Sequence, residues 1–203
     1  MNKPLLVGIT GGIGAGKSTI AKIFSILGIH IYDSDSRAKD LMVESDNIKS
    51  ALRVLFGDES FVDGHLNRQL IAQKSFNEPK LLTQLNELVH PIVSEDFKTW
   101  VQSHSSEKYL IKEAALLFET GSYKQLDKVL LVTAPEDTRI KRVVSRDSHR
   151  TEEDVRAIMA KQLPEEEKEA LADVVLRNDD SGLMIPQVLK LHEQFSKQQV
   201  LSQ

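Results

Sequence analysis

The chain has 203 residues, of which 40% are hydrophobic and 28% are charged, a composition in the range of ordinary folded domains. Its 30 acidic and 26 basic residues give a net charge of −4, so it has no overall positive field that would hold nucleic acid or an anionic membrane. Cysteine is absent, which excludes disulfides, thiolate metal sites and a cysteine nucleophile. We expect a cytoplasmic protein without a nucleic-acid or membrane partner, and the composition does not indicate an oligomeric state.

The first part of the chain alternates apolar strands with an amphipathic helix. Residues Pro4 to Thr10 form a continuous apolar run, which is typical of a strand buried on both faces and which stops at a glycine-rich turn. From Lys17 to Leu27 apolar residues recur every three or four positions, and Gly28 predicts the end of that helix. Residues Ile29 to Tyr32 predict a short second strand.

Further apolar runs predict three more buried strands at Tyr109–Ile111, Val129–Val132 and Val174–Leu176. Helical patterning separates these runs, and this alternation predicts a three-layer α/β fold with a parallel central sheet. Near the end of the chain, the acidic run Glu165 to Glu169 is interpreted as a solvated helix face.

A long stretch between the second and third strands has helical periodicity and no strong strand. The dipeptide Asp63-Gly64 indicates a turn within it, and Pro91 should start or kink a helix. We therefore expect a helical substrate-binding insertion at residues 36–106, set into a nucleotide-binding core of residues 1–35 and 107–203.

The turn after the first strand carries the clearest motif. Residues Gly11 to Thr19 read GGIGAGKST, the pattern of a phosphate-binding loop between a strand and a helix. Its glycines let backbone N–H groups surround an anion, Lys17 supplies charge to the β- and γ-phosphates, and the Ser18 hydroxyl is placed to ligate Mg²⁺. The candidate ATP-binding residues are Gly12, Gly14, Ala15, Gly16, Lys17, Ser18 and Thr19. The simpler alternative is a glycine-rich turn with an exposed lysine.

Two other classes of glycine-loop protein fit the sequence less well. A dinucleotide-binding fingerprint that begins at Gly12 needs a third glycine at position 17, where Lys17 stands. A GTP-specific switch protein is expected to carry an Asn-Lys-x-Asp segment, and the sequence has none. The sequence therefore favours ATP as the phosphoryl donor.

Two carboxylates follow the second strand, Asp33 and Asp35. At the carboxyl edge of a parallel sheet they would lie beside the mouth of the phosphate-binding loop. One could accept the proton of an acceptor hydroxyl, while the other holds a magnesium-bound water or orients a sugar. Alternatively, one of them caps a helix that begins near Ser36.

Four arginines, at positions 139, 142, 146 and 150, recur at helical spacing and should lie along one stripe of a helix that runs into a polar loop. Guanidinium groups on a movable lid, expected at about residues 142–156, would neutralise the charge of a phosphoryl group in transfer. The alternative is a solvated helix face whose arginines pair with Asp137 or Asp147.

The ordered set of motifs resembles the dephospho-CoA kinase family, whose members use ATP to phosphorylate the ribose 3′-hydroxyl of dephospho-CoA, the last step of CoA biosynthesis. The resemblance spans nearly the whole chain, and beyond the phosphate-binding loop it departs from the usual family pattern at Ser34 and Ala115. The motifs that carry it are TGGIGAGKST (10–19), DSD (33–35), NRQLIAQKSF (67–76), LNELVHPIV (85–93), ALLFE (115–119), KRVVSRD (141–147) and ADVVLRND (172–179).

The resemblance implies roles for particular residues. Asp35 matches the family's favoured base, and Arg142 matches the lid arginine that contacts the transferred phosphate. By the same matching, Arg68, Asn86 and His90 would line the acceptor site. Apart from the resemblance, Asp33 and Glu113 are further candidates for the acceptor site, and Arg139 and Arg146 of the arginine stripe are candidates for ATP binding. For His90, a helix-capping or packed histidine beside Pro91 is the alternative. Two other functions stay open, a different small-molecule kinase for a nucleoside, nucleotide or sugar acid, and a nucleotide-dependent regulatory ATPase.

Overall fold

A computed structural model describes residues 3–198. These residues divide into two compact units, a first unit made of the chain up to Asp33 and from His104 onwards, and a second unit, Ser34–Ser103. The insertion expected at 36–106 overlaps the second unit over residues 36–103, and its part in substrate binding stays a prediction.

Strands concentrate in the first unit and helices dominate the second. The strands assigned within residues 3–198 are β1 (Leu5–Thr10), β2 (Ile31–Asp33), β3 (Phe61–Val62), β4 (His65–Leu66), β5 (Tyr109–Glu113), β6 (Lys128–Thr133) and β7 (Val174–Arg177). The α-helices of the same range are α1 (Lys17–Ile26), α2 (Ser34–Glu44), α3 (Asp46–Phe56), α4 (Arg68–Asn77), α5 (Pro79–Ser103), α6 (Glu136–Arg146), α7 (Glu152–Met159), α8 (Glu165–Leu171) and α9 (Met184–Lys197).

Five parallel strands form the sheet of the first unit, in the order β2-β5-β1-β6-β7. The apolar strand β1 lies at the centre, as its continuous hydrophobic sequence requires. Both Ile9 of β1 and Asp33 of β2 are in register with Glu113 of β5, so these strands end together at one edge of the sheet. The predicted α/β fold with a parallel sheet is confirmed.

The hydrophobic core of the first unit lies on both faces of this sheet. On one face, β1 and β5 side chains such as Ile9 and Ile111 pack with Phe24 of α1 and Phe195 of α9. On the other face, residues of β6 pack against Phe118 and the segments that flank α8. Burying one such aromatic or aliphatic side chain contributes about 1.5 to 3 kcal/mol, so the sheet edge that carries the polar residues is firmly supported.

The second strand begins later than predicted because the end of α1 uses the residues before it. Gly28 has a φ of +86°, its N–H donates to Ser25, and the N–H of Ile29 donates back to Phe24 at 3.1 Å. This is a Schellman motif, which satisfies the last carbonyls of the helix. The prediction of a strand from Ile29 is therefore wrong, and β2 starts at Ile31.

Two predictions for the second unit need correction. The stretch contains a small antiparallel hairpin, β3 and β4, whose turn residues Asp63 and Gly64 both have positive φ, the geometry of a type I′ turn. Of the two outcomes expected for Pro91, a helix start is wrong, because Pro91 lies inside the 25-residue helix α5, and a kink stays a prediction. Buried Val89 and Val93 on either side of it keep that helix packed.

A charged cluster fixes α2 against α5 within the second unit. Arg37 donates hydrogen bonds from Nε and Nη2 to the two carboxylate oxygens of Asp96, each at 2.9 Å, and a third to Glu44. These hydrogen bonds, that to Asp96 above all, raise the pKa of the Arg37 guanidinium. Bidentate pairing of this kind fixes the relative orientation of the two helices more firmly than a single contact would.

Candidate active site

The phosphate-binding loop connects β1 to α1 and packs closely against Arg139 of α6 and against Asn178. Gly14 and Gly16 have φ angles of +79° and +97°, which residues other than glycine rarely adopt. A methyl group at Gly14 would overlap the backbone carbonyl of Arg139, and one at Gly16 would overlap the side chain of Asn178. Backbone conformation thus favours glycine at both positions, and at Gly14 close packing against a backbone carbonyl requires it as well.

Lys17 and Ser18 are held by specific contacts at the start of α1. The Lys17 ammonium donates a hydrogen bond to the carbonyl of Gly11 at 2.9 Å, so this half-buried side chain lies over the loop. The Ser18 hydroxyl donates to Oε1 of Glu113 at 2.8 Å. Thr19 is exposed, and its α-phosphate contact stays a prediction.

Hard oxygen groups collect at the end of the sheet beside this loop. Glu113 holds the Ser18 hydroxyl, and Asp33 is its register partner on β2. Within residues 3–198 no group of three or more histidine and carboxylate side chains is arranged to hold a metal unaided. Mg²⁺ bound to a nucleotide takes most of its ligands from phosphate and water and needs only one or two protein oxygens, so the donor set present fits that ion.

Asp35 differs in its local structure from the expectation. The helix that follows β2 begins at Ser34 instead of near Ser36, and Asp35 lies in its first turn. A carboxylate there lies at the positive end of the helix dipole. Asp35 belongs to the second unit, whereas Asp33 is the last residue of β2 in the first unit.

Arg139 and Arg142 of α6 carry buried donors that lack an acceptor. Arg139 is nine-tenths buried, its guanidinium lies against Gly12, and its Nε has no hydrogen-bond partner in the described part of the chain. Arg142 donates from Nη2 to Asp180 at 2.7 Å, while its buried Nη1 lacks a partner among the same residues. Buried unpaired donors cost about 1 to 3 kcal/mol each, and a phosphate oxygen would satisfy them.

The other two predicted arginines make a different kind of contact. Arg146 is exposed and donates from Nε and Nη2 to the neighbouring Asp147, and Arg150 lies 3.7 Å from the same carboxylate. The hydrogen bonds from Arg146 lower the pKa of Asp147. The prediction that the four arginines lie along one helix is wrong for Arg150, because α6 ends at Arg146. Arg139 is buried, and for Arg146 the alternative pairing with Asp147 is observed. Its contact with ATP stays a prediction.

The acidic run at the start of α8 is not a uniformly solvated face. Lys168 is buried and its ammonium lies 2.8 Å from Glu165, which also lies 3.6 Å from Arg139. Burial opposes ionisation of Glu165, but Lys168, the Thr133 hydroxyl and Arg139 outweigh it and lower the pKa of this carboxyl. Sequence patterning missed this cluster because helical spacing does not show that α8 packs against β6 and brings Glu165 near Arg139 of α6.

Two amide side chains that the sequence analysis did not single out also contact the loop. The Gln162 side chain accepts a hydrogen bond from the N–H of Ile13 at 3.1 Å, and that of Asn178 donates to the carbonyl of Ala15 at 2.9 Å. Asn178 directly follows β7 and lies in the segment ADVVLRND, so its position at the sheet edge was a usable signal. Gln162 lies in an irregular segment and gave none.

The predicted acceptor residues of the second unit lie on two helices. Arg68 is the exposed first residue of α4. Asn67 caps the N-terminus of this helix, because its side-chain oxygen accepts a hydrogen bond from the N–H of Leu70. Asn86 and His90 are four residues apart on α5 and therefore share one of its faces. His90 is exposed in the middle of that helix, so the helix-capping alternative is wrong.

These features can be compared with known proteins. A model of the dephospho-CoA kinase family matches residues 5–183. The chain belongs to the dephospho-CoA kinase family. A dephospho-CoA kinase of Porphyromonas gingivalis is 37% identical over 189 residues, which cover 93% of each chain, and one of Chlorobium luteolum is 39% identical over 183 residues, covering 87% of this chain and 83% of the relative.

Solved structures agree with this family assignment. A dephospho-CoA kinase from Campylobacter jejuni superposes with a TM-score of 0.71 at 25% identity, covering 95% of this chain and 97% of that one. A Thermus thermophilus protein with the same coverage reaches a TM-score of 0.84 at 35% identity. The resemblance inferred from the motifs is thereby confirmed, and the protein is a kinase. None of the helices described between residues 3 and 198 has the length and apolarity to cross a bilayer.

Proposed function

We propose that this protein transfers the γ-phosphoryl group of ATP to the ribose 3′-hydroxyl of dephospho-CoA, giving coenzyme A and ADP, the last step of CoA biosynthesis. The observation that carries the proposal is the family match along residues 5–183, which includes both the phosphate-binding loop and the second unit. The curated relatives described above bear this activity in their names. A cytoplasmic location, without nucleic-acid or membrane partners, is part of the same proposal.

The phosphate-binding loop is the proposed ATP site. Backbone N–H groups of Gly12, Gly14 and Gly16 to Thr19, at the N-terminus of α1, would donate to the phosphates, and the helix dipole favours the same negative charge. The Lys17 ammonium, which hydrogen-bonds to the carbonyl of Gly11, would supply positive charge to the β- and γ-phosphates. Ser18 would hold Mg²⁺, which would supply positive charge to the β- and γ-phosphate oxygens.

The arginines of α6 would stabilise the negative charge of the phosphoryl group in the transition state. The buried donors of Arg142 and Arg139 that lack partners would satisfy equatorial phosphate oxygens, with Arg146 assisting from the exposed end of α6. Such preorganised donors act most strongly where negative charge develops. Because phosphoryl transfer needs little covalent chemistry from the protein, positioning and electrostatics supply most of the acceleration.

The acceptor hydroxyl requires a base or an orienting group. We assign Asp35 this role, with the ribose and the rest of dephospho-CoA contacted by Asp33, Arg68, Asn86, His90 and Glu113. A carboxylate within about 3 Å of the hydroxyl can accept its proton as the oxygen attacks phosphorus. The kinase family assignment and the exposure of Arg68 and His90 on their helices support these contacts.

The test measures ADP formation with a panel of acceptors, including dephospho-CoA, nucleosides, nucleotides and sugar acids, and locates the new phosphate by NMR. We expect dephospho-CoA alone to stimulate turnover, with phosphate on the 3′-oxygen. Lys17→Ala should reduce kcat/KM by about 10²-fold or more, and Asp35→Asn should reduce kcat. A nucleoside-only response would assign a different small-molecule kinase. ATP hydrolysis without any acceptor, unchanged in Asp35→Asn, would assign a regulatory ATPase.

A further inference from the structure

Asn178 connects the last strand of the sheet to the phosphate-binding loop. Its own N–H donates to the carbonyl of Thr133 at 2.7 Å, which fixes its backbone to the end of β6. Its side-chain Nδ2 atom donates to the carbonyl of Ala15 at 2.9 Å. The half-buried side chain therefore joins a rigid element of the sheet to one particular peptide of the loop.

The contact determines how that peptide is oriented. The bond between Ala15 and Gly16 is trans, so its C=O and N–H point in opposite directions. Because Asn178 holds the carbonyl, the N–H of Gly16 is directed away from the Asn178 side chain. Gly16 directly precedes Lys17, and in loops of this type the amides at these positions donate to phosphate oxygens.

Gly16 and Asn178 are also fitted to each other sterically. The φ of +97° at Gly16 places its α-carbon so close to Asn178 that a side chain at position 16 would overlap the Nδ2 atom. The carboxamide thus takes the space that the missing side chain leaves. The absence of a side chain at Gly16 therefore leaves room for the Asn178 carboxamide, which hydrogen-bonds to the carbonyl of Ala15.

We propose that Asn178 is a positioning residue for ATP, which fixes the Ala15–Gly16 peptide so that its N–H is preorganised for a phosphate oxygen. The inference rests on the proposed function, because it requires the loop to bind ATP. It concerns the donor side of the site alone. Loss of the side-chain hydrogen bond should weaken ATP binding and leave dephospho-CoA binding unchanged.

The test compares Asn178→Ala and Asn178→Asp with the wild-type protein. Alanine removes the donor but keeps the backbone hydrogen bond to Thr133, and we expect the KM and Kd for ATP to rise about 10-fold. Aspartate has the same shape but presents a carboxylate to the Ala15 carbonyl, so the increase should be larger. In both variants the KM for dephospho-CoA should stay unchanged, and kcat should change by less than the KM for ATP.

Asn77→Ala is the matched control, since Asn77 is an exposed residue at the end of α4 in the second unit. It should match the wild type in every measurement. A purely structural role for Asn178 would lower the melting temperature and affect both substrates equally, and that result would overturn the inference, as would an unchanged KM for ATP. If the wild type itself failed to bind ATP in a calorimeter, the proposed function would fail instead, so the two failures are distinguishable.

Discussion

The two units of the chain hold their candidate functional residues in opposite ways. In the first unit the phosphate-binding loop is enclosed by α6 and by Asn178, and its glycines leave no room for a side chain. In the second unit Arg68 and His90 are exposed on regular helices, and a methyl group at Gly64 would meet nothing within 4 Å. A site built from backbone groups depends on its supports, whereas one built from exposed side chains can lose a residue without distorting its unit.

The strongest test of this contrast is the substitution Gly14→Ala, which adds a methyl group inside the phosphate-binding loop. Gly14→Ala would strain a φ of +79° and force a methyl group into the backbone carbonyl of Arg139, which cannot move without α6. We expect kcat/KM for ATP to fall by ~10³-fold, since displaced amides no longer match the phosphates. Steady-state kinetics with an unfolding curve would check this. Near wild-type activity would show that the loop is not constrained by α6.

Gly12→Ala provides the graded comparison. There the methyl group would overlap only the guanidinium of Arg139, the far end of a flexible side chain, and the φ of Gly12 is not positive. We expect a smaller loss than for Gly14→Ala. In an Arg139→Ala background the Gly12→Ala substitution should cost almost nothing further, because the overlapping group is gone. Additive losses in this double-mutant cycle would contradict the proposed overlap.

Removal of one charged side chain from the same unit should have the next largest effect. Arg142→Ala eliminates a guanidinium that we assign to the transferred phosphate, and kcat should fall by ~10²-fold. Asp180→Asn is the control, because it removes only the charge of the exposed partner of Arg142 and keeps a residue that tolerates the φ of +64° at this position, and surface ion pairs contribute about 1 kcal/mol or less. Equal effects of the two substitutions would show that Arg142 is structural.

The second unit should respond more locally. Arg68→Ala should raise the KM for dephospho-CoA by about 10-fold, the value of one charged hydrogen bond, and should leave the KM for ATP and the melting temperature unchanged. The control is Gln69→Ala, because Gln69 is the exposed neighbour of Arg68 on α4, and this variant should behave as wild type. A change in ATP affinity with Arg68→Ala would remove the distinction drawn between the two units.

The contrast also explains what could be predicted from the sequence. The loop from Gly11 to Thr19 is a local pattern whose chemistry follows from residue types and spacing, and the buried strand before it follows from its apolar run. The contacts of Gln162, Lys168 and Asn178 depend on which segments pack together, and no periodicity encodes that. Helix α5 likewise continues through Pro91 because buried residues on either side support it.

Helix caps offer the mildest comparison between the units. Thr151 begins α7 with a capping box, in which its hydroxyl accepts from the N–H of Asp154 and the Asp154 carboxylate accepts from the Thr151 N–H. Ser45 begins α3 with a single longer contact, 3.4 Å to the N–H of Ile48. Thr151→Ala should lower the free energy of unfolding by about 1 kcal/mol, and Ser45→Ala should lower it less. Denaturant unfolding of both variants would measure the difference.

The pH dependence separates the capping box from a simple cap. Hydrogen bonds from the N–H and hydroxyl of Thr151 lower the pKa of Asp154. A carboxyl with a lowered pKa stabilises the folded state above its ordinary value, about 3.9, and loses that contribution as the pH falls through the folded value. The difference between wild type and Thr151→Ala should therefore be largest near neutral pH and shrink below about pH 4. A constant difference across that range would mean that the threonine hydroxyl alone, without the carboxylate of Asp154, caps α7.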